Sequence, residues 1–254
     1  MSRAGELRRL RRGWYALPQA PADVARAVEL GGALSCESAL AAHGARRLRS
    51  GSLHLRIPMG AAAPSARGVV VHRRPTGWRD AVAAVDEPRL ALACALRCLD
   101  EEAFLVAADA CLERGIARPD DLVDAARGAG RRLAIRAARA DGRSQSATET
   151  LVRVRLRRLG IRVSPQVWVE GVGRVDLLVG DRLIIECDSI AHHTDESAYR
   201  SDRRRSRVAL VGGYLTLRLT YGEVLFRWPE VEADILAIVR SGRHVAPRST
   251  SSKR

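Results

Sequence analysis

Aromatic residues are scarce, at 4% of a 254-residue chain, although hydrophobic residues reach 46%. Any core must therefore be built mainly from Ala, Val, Leu and Ile. No apolar run is long enough to span a bilayer. The N-terminus is polar and Arg-rich and lacks the hydrophobic segment of a secretory signal. Acids are outnumbered, 29 against 43 Lys and Arg, which leaves a formal net charge of +14. That excess favours a polyanionic partner, nucleic acid before acidic membrane surface. Lysine is nearly missing, and Arg with abundant Ala is also what a GC-rich genome encodes, a bland origin for part of the charge. The five cysteines, Cys36, Cys94, Cys98, Cys111 and Cys187, are odd in number and loosely spaced, which excludes a disulfide-stapled scaffold. Cys94 and Cys98, four apart on an expected helix, could reach one metal. With no second ligand pair at zinc-site spacing they read as buried thiols. These absences describe a soluble protein of a reducing, cytoplasmic compartment, with no membrane partner and no small-molecule ligand.

Two patterns divide the chain. The start, Leu7 to Leu17, reads as a basic turn leading into a strand, and Pro18 and Pro21 punctuate it. Helical patterns follow over 22–30 and 35–43, the second with Ser35 placed as N-cap and His43-Gly44 as its stop. Strands are expected at 53–57 and 68–72. From Pro88 to about Ala140 the pattern is helical, broken near 115–119 and 128–130, and the dense Leu90–Leu99 segment belongs at the centre of the first domain. Asp141-Gly-Arg-Ser144 marks a boundary. Beyond it the expected order is a helix over 146–159, strands near 163–169, 173–179 and 183–188, a helix over 195–211, a strand at 214–219 and a helix from Pro229 to Arg240. The assignment is therefore α/β: a mainly helical α+β domain over 1–140, an α-β-β-β-α-β domain over 141–241, and a polar tail, 242–254, expected to be disordered.

The chemistry concentrates between Arg174 and His193. Asp176 lies inside one apolar strand, and Glu186 and Asp188 inside the next. Buried carboxylates are costly unless paired, and a divalent ion is a common partner. Strand parity decides whether they meet. A two-residue turn at Gly180-Asp181 sends Asp176 and Glu186 to opposite faces, whereas a three-residue turn over Gly180–Arg182 sets them side by side. The three-residue turn is expected. Glu149 continues an apolar helix stripe with Val152, Leu156 and Leu159 and points to the same site, although Ser146-Ala-Thr-Glu149 is equally a capping box. His192 and His193 follow the acids and are either proton carriers or exposed loop residues. Arg200, Arg203, Arg204 and Arg207 share a helix face suited to phosphate contact, or simply to solvent. Asp202 among them is a natural ion-pair partner for one of them.

These residues carry a resemblance. Glu149, Val175-Asp176, Ile185-Glu-Cys-Asp188, His192-His193, Asp202-Arg-Arg-Arg205 and Gly213-Tyr214 occur in the order seen in the DUF559 family, in the Vsr-like branch of the PD-(D/E)XK endonuclease superfamily. The resemblance covers somewhat under half of the chain. It implies a restriction-endonuclease-like core and a Mg²⁺- or Mn²⁺-dependent DNA endonuclease or nickase. Asp176 and Glu186 would be the metal ligands, with Asp188, His192 and Glu149 completing the catalytic set. Asp188 stands where many members of the superfamily carry Lys, and Ser189 where the family often has Gly. The resemblance then gives His192 the water-activating role. Arg12-Gly-Trp-Tyr15, Leu34-Ser-Cys-Glu-Ser-Ala39 and His43-Gly44 resemble the region of AbiEi-type antitoxins of type IV toxin–antitoxin systems. Such proteins begin with a winged helix-turn-helix, of which only the last strand, Arg11 to Leu17, is expected, as though the start were truncated. The alternatives are an antitoxin-like DNA-binding regulator with a degenerate nuclease domain, and a scaffold whose acids are paired with arginines such as Arg174. A homodimer is compatible with all of them.

Overall fold

Long Ala/Leu helices in the first half and alternating strands in the second sort into two units, Met1–Gly142 and Arg143–Arg254, of mixed α/β class. The computed structural model describes residues 7–48, 51–73, 83–188 and 196–246, without the side chains of 188 and 196–199. No described helix is long and apolar enough to cross a membrane.

The first unit opens with a hairpin of β1 (Arg8–Arg11) and β2 (Trp14–Ala16). This corrects the single strand expected over 11–17. Gly13, at φ +78, makes the turn that the basic run concealed. Helix α1 (Ala22–Glu29) and β3 (Ala33–Leu34) follow. Then come α2 (Cys36–Ala42), β4 (Leu53–Arg56) and β5 (Val69–His72). Ser35 occupies the N-cap position of α2, but its hydroxyl makes no cap bond. The sheet order is β3-β4-β5, antiparallel and then parallel. Ala27, Leu34, Leu55 and Ile57 form its core.

The helical half comprises α3 (Pro88–Cys98), α4 (Glu101–Glu113), α5 (Pro119–Ala126) and α6 (Arg131–Ala137). Residues 90–96 of α3 are all buried, so this segment is central, as its density implied. The α3–α4 break has no Gly or Pro to announce it. Asp100 makes it by capping α4, its carboxylate accepting from the Ala103 N–H at 2.8 Å. One buried ion pair ties strand to loop. Arg56 on β4, 3% exposed, donates twice to the fully buried Asp86, at 2.8 and 2.7 Å.

In the second unit α7 (Ala147–Arg158) precedes a four-stranded sheet of β6 (Val163–Val169), β7 (Gly173–Val179), β8 (Leu183–Asp188) and β9 (Leu215–Thr220), in that order. The first three strands are antiparallel and β9 is parallel to β8, reached through α8 (Glu196–Val211). Helices α9 (Tyr221–Phe226) and α10 (Trp228–Arg240) close the unit. The short α9 was not expected, although Thr220-x-x-Glu223 is a capping box and forms one. The tail expected to be disordered is not so over its first residues. The His244 carbonyl accepts from the N–H groups of both Asp181 and Arg182, each at 2.9 Å, and clamps the β7–β8 turn. Residues 247–254 lie outside the described residues.

Removing one partner of a buried ion pair strands the other charge. Asp86→Ala is therefore expected to destabilise the first unit by about 3–5 kcal/mol, read from urea unfolding. A change below about 1 kcal/mol would show that Arg56 finds water or another acceptor.

Candidate functional site

The β7–β8 connection has three residues. Val179 pairs with Leu183, Leu178 with Ile184 and Leu177 with Ile185, so the same register brings Asp176 beside Glu186 on one face. Gly180 opens the turn at φ +60, where a β-carbon would collide with the His244 carbonyl. Asp176 Oδ2 accepts from the Cys187 N–H at 2.8 Å. Glu186 is 22% exposed, and Arg205 of α8 lies 3.3 Å from its Oε1. Burial first, and then the charge of Asp176, push the Glu186 carboxyl up to about 7, against the pull of Arg205. One guanidinium at that distance does not neutralise two carboxylates.

Glu149 divides its two jobs. Ser146 Oγ accepts from the Glu149 N–H at 3.1 Å, so the helix is capped. The Glu149 carboxylate does not return to the N-cap, as a full capping box would require. Its Oε2 accepts from the Gln145 N–H at 2.9 Å and from Gln166 Nε2 at 2.8 Å. The same Gln166 nitrogen reaches Asp176 Oδ1 at 3.4 Å, so one amide spans the two acids. Gln166 is held at φ +54, a left-handed conformation rare for a residue with a side chain. Arg174 Nε donates to Gln166 Oε1 at 2.5 Å. Arg174 thus supports the bridging amide, and the arginine that pairs with one of the acids is Arg205. Burial foremost, with the charge of Asp176 adding to it, raises the Glu149 carboxyl, although bonds from Gln145 and Gln166 oppose the rise.

The remaining expected residues fall into two groups. Asp188 pairs through its backbone with Thr220 of β9, while its side chain, His192 and His193 lie outside the described residues. Arg200, Arg203, Arg204 and Arg207 are all exposed along α8. Asp202 pairs across to Arg218 on β9, at 2.6 Å. Arg205 turns inward instead, donating to the carbonyls of Val172 (3.0 Å) and Arg174 (2.7 Å) as well as to Glu186. Gln166 and Arg205 were not singled out in the sequence. A glutamine in a strand has no periodic signal, and the run Arg203-Arg-Arg205 does not say which arginine faces the sheet.

Asp176 and Glu186 offer only oxygen donors, which suits a hard divalent cation. Mg²⁺ is commonly held by one or two carboxylates plus waters and substrate phosphate. Among the described residues the acids do not converge further. Among the described residues, the group of three or more ligating side chains with every donor atom within 4.8 Å of the others is Cys36, His54, His72 and Cys98, in the first unit. The buried-thiol expectation holds for Cys94, whose thiol burial pushes up to about 11. It fails for Cys98, which is exposed and which hydrogen bonds from Cys36, His54 and His72 pull down to about 3. Comparison with family models, with curated proteins and with solved structures gave no match.

The raised Glu186 carboxyl sets a pH dependence. A folded value of about 7, above the ordinary 4.5, means that the stability it contributes is present below about pH 4.5 and lost as pH rises through 7. In chelator, the urea midpoint of Glu186→Gln is expected to gain on that of the wild type between pH 5 and pH 8. Parallel midpoints would show that the carboxylate pair is not strained.

Proposed function

We propose that the second unit is a metal-dependent endonuclease or nickase that hydrolyses phosphodiester bonds in DNA. The carrying observation is a carboxylate pair, Asp176 with Glu186, that is short of positive charge even with Arg205 beside it. The helix–three strands–helix–strand order supports the DUF559 and PD-(D/E)XK resemblance, as does the parallel β8–β9 pairing. A divalent cation held by Asp176 and Glu186 would supply Lewis-acid stabilisation of phosphoryl charge and a bound water of lowered pKa.

The chain's own residues do the rest. Gln166 and the Cys187 N–H orient Asp176, and Arg205 holds Glu186 while fixing α8 to the β6–β7 turn. Glu149, its carboxyl raised by burial, lies one hydrogen-bonded amide away from Asp176. His192 takes the proton role that the resemblance gives it. Trp168, 76% exposed and paired across the strands with Arg174, offers a ring on the acid-bearing face for a nucleobase to stack against. The exposed arginines of α8 supply phosphate contacts, and a cytoplasmic setting suits the free thiols.

The second reading, a DNA-binding regulator with a spent nuclease site, has its own support. Gln166 and Arg205 already give the acids partners, and Asp188 replaces the superfamily Lys. Plasmid nicking separates the two. Mg²⁺- or Mn²⁺-dependent nicking is expected, falling by about 10³-fold or more in Asp176→Ala and Glu186→Ala, the worth of several kcal/mol of metal stabilisation. Nicking that survives in both variants would mark a contaminant, and salt-sensitive binding without cleavage would favour the regulator.

Phosphate contact has a separate signature. The triple variant Arg203→Ala/Arg204→Ala/Arg207→Ala is expected to flatten the dependence of log affinity on log salt by roughly 0.9 for each lost contact on duplex DNA. An unchanged slope would make that helix face a solvated one.

A further inference from the structure

The first unit holds a second cluster with different chemistry. Cys36 opens α2 and Cys98 ends α3, while His54 and His72 lie on the adjacent strands β4 and β5. His54 pairs with Val70, which puts His72 two residues further along β5 on the same face. One ligand atom from each of the four residues lies within 4.8 Å of the other three. His54 Nδ1 is 3.1 Å from His72 Nε2 and 3.9 Å from Cys98 Sγ, and the two rings stack with centroids 5.3 Å apart. A tetrahedral ion with bonds of about 2.0–2.1 Å to nitrogen and 2.3 Å to sulfur spaces its ligand atoms by roughly 3.3–3.8 Å. The observed separations bracket that range.

The surroundings favour a metal over a hydrogen-bonded core cluster. The far nitrogen of His54, Nε2, lies 3.3 Å from Glu37 Oε1, and Glu37 is itself steadied by Arg47 at 3.3 Å. A carboxylate on the far nitrogen fixes the ring proton there and leaves Nδ1 as a lone pair facing the cluster, the arrangement usual behind metal-bound histidine. Cys36 is fully buried yet held at φ +51. A left-handed backbone at a residue with a side chain is rare and collects at functional sites. Cys98, being exposed, leaves a route for an ion to enter.

The geometry points to a mononuclear Cys₂His₂ site for Zn²⁺ that pins the ends of α2 and α3 to the β4–β5 pair. Thiolate and imidazole donors select zinc over the hard cation suited to carboxylates. Four protein ligands close the coordination sphere, which marks a structural ion with no open position for substrate. The site is independent of the nuclease reading, because none of its ligands belongs to the acidic cluster.

The test uses the full chain, loaded with Zn²⁺ and dialysed, with metal content measured by mass spectrometry and a Co²⁺-substituted sample measured by visible absorption. One zinc per chain is expected, together with tetrahedral cobalt bands and a thiolate charge-transfer band. His72→Ala and Cys98→Ser, at the more accessible side, are expected to lose both signals. Glu37→Gln is expected to weaken zinc affinity by about 10–100-fold while keeping the cobalt spectrum tetrahedral. Asp176→Asn/Glu186→Gln should keep its zinc, which separates this site from the acidic one. A wild-type chain without stoichiometric zinc and without a thiolate–cobalt band would overturn the proposal, as would undiminished zinc in His72→Ala and Cys98→Ser. If Cys36→Ser fails to fold, the wild-type cobalt spectrum still decides.

Discussion

The second unit depends on the length of one turn. Three residues between Val179 and Leu183 put Asp176 and Glu186 on the same face, whereas two would have sent them to opposite faces. Burial first, and then the enforced closeness of Asp176, raises the Glu186 carboxyl, toward which Arg205 reaches inward. The turn is correspondingly well secured. Gly180 provides the left-handed backbone, and the His244 carbonyl takes the two N–H groups that follow it. A residue far along the chain thus fixes the register on which the site rests.

The two units gather ligands of opposite kinds. The acids on β7 and β8 are hard oxygen donors, partly open, held by Gln166, the Cys187 N–H and Arg205. The cluster on α2, β4, β5 and α3 is soft, nearly closed and backed by a carboxylate. Hard open sites suit chemistry with exchangeable waters, and soft closed ones suit structure. An Ala/Leu-rich unit with few aromatics gains from such a pin, because small side chains leave less apolar area to hold helix ends in place.

The sequence made the second unit far more legible than the first. Apolar strands around the turn at Gly180 announced β7 and β8, and parity alone predicted the meeting of Asp176 and Glu186. Gln166 stayed hidden because its role comes from a backbone twist. Arg205 stayed hidden because a run of arginines does not reveal which one turns inward. In the first unit β3 has two residues, too few for any period, and Asp100 ends a helix without Gly or Pro. The Cys₂His₂ cluster escaped because its ligands come one each from four elements. Cys94 and Cys98, the pair that spacing suggested, go to different surroundings. The sequence signal that could have found it was the pair of histidines, His54 and His72, on two expected strands.

The central claim is that Asp176 and Glu186 share one divalent cation. Crystals of the full chain soaked in Mn²⁺, with anomalous scattering recorded, test it most directly. The account predicts an anomalous peak between the two carboxylates, with Arg205 drawn away from Glu186. Density showing the Arg205–Glu186 ion pair intact and no peak beside Asp176 at saturating Mn²⁺ would contradict it.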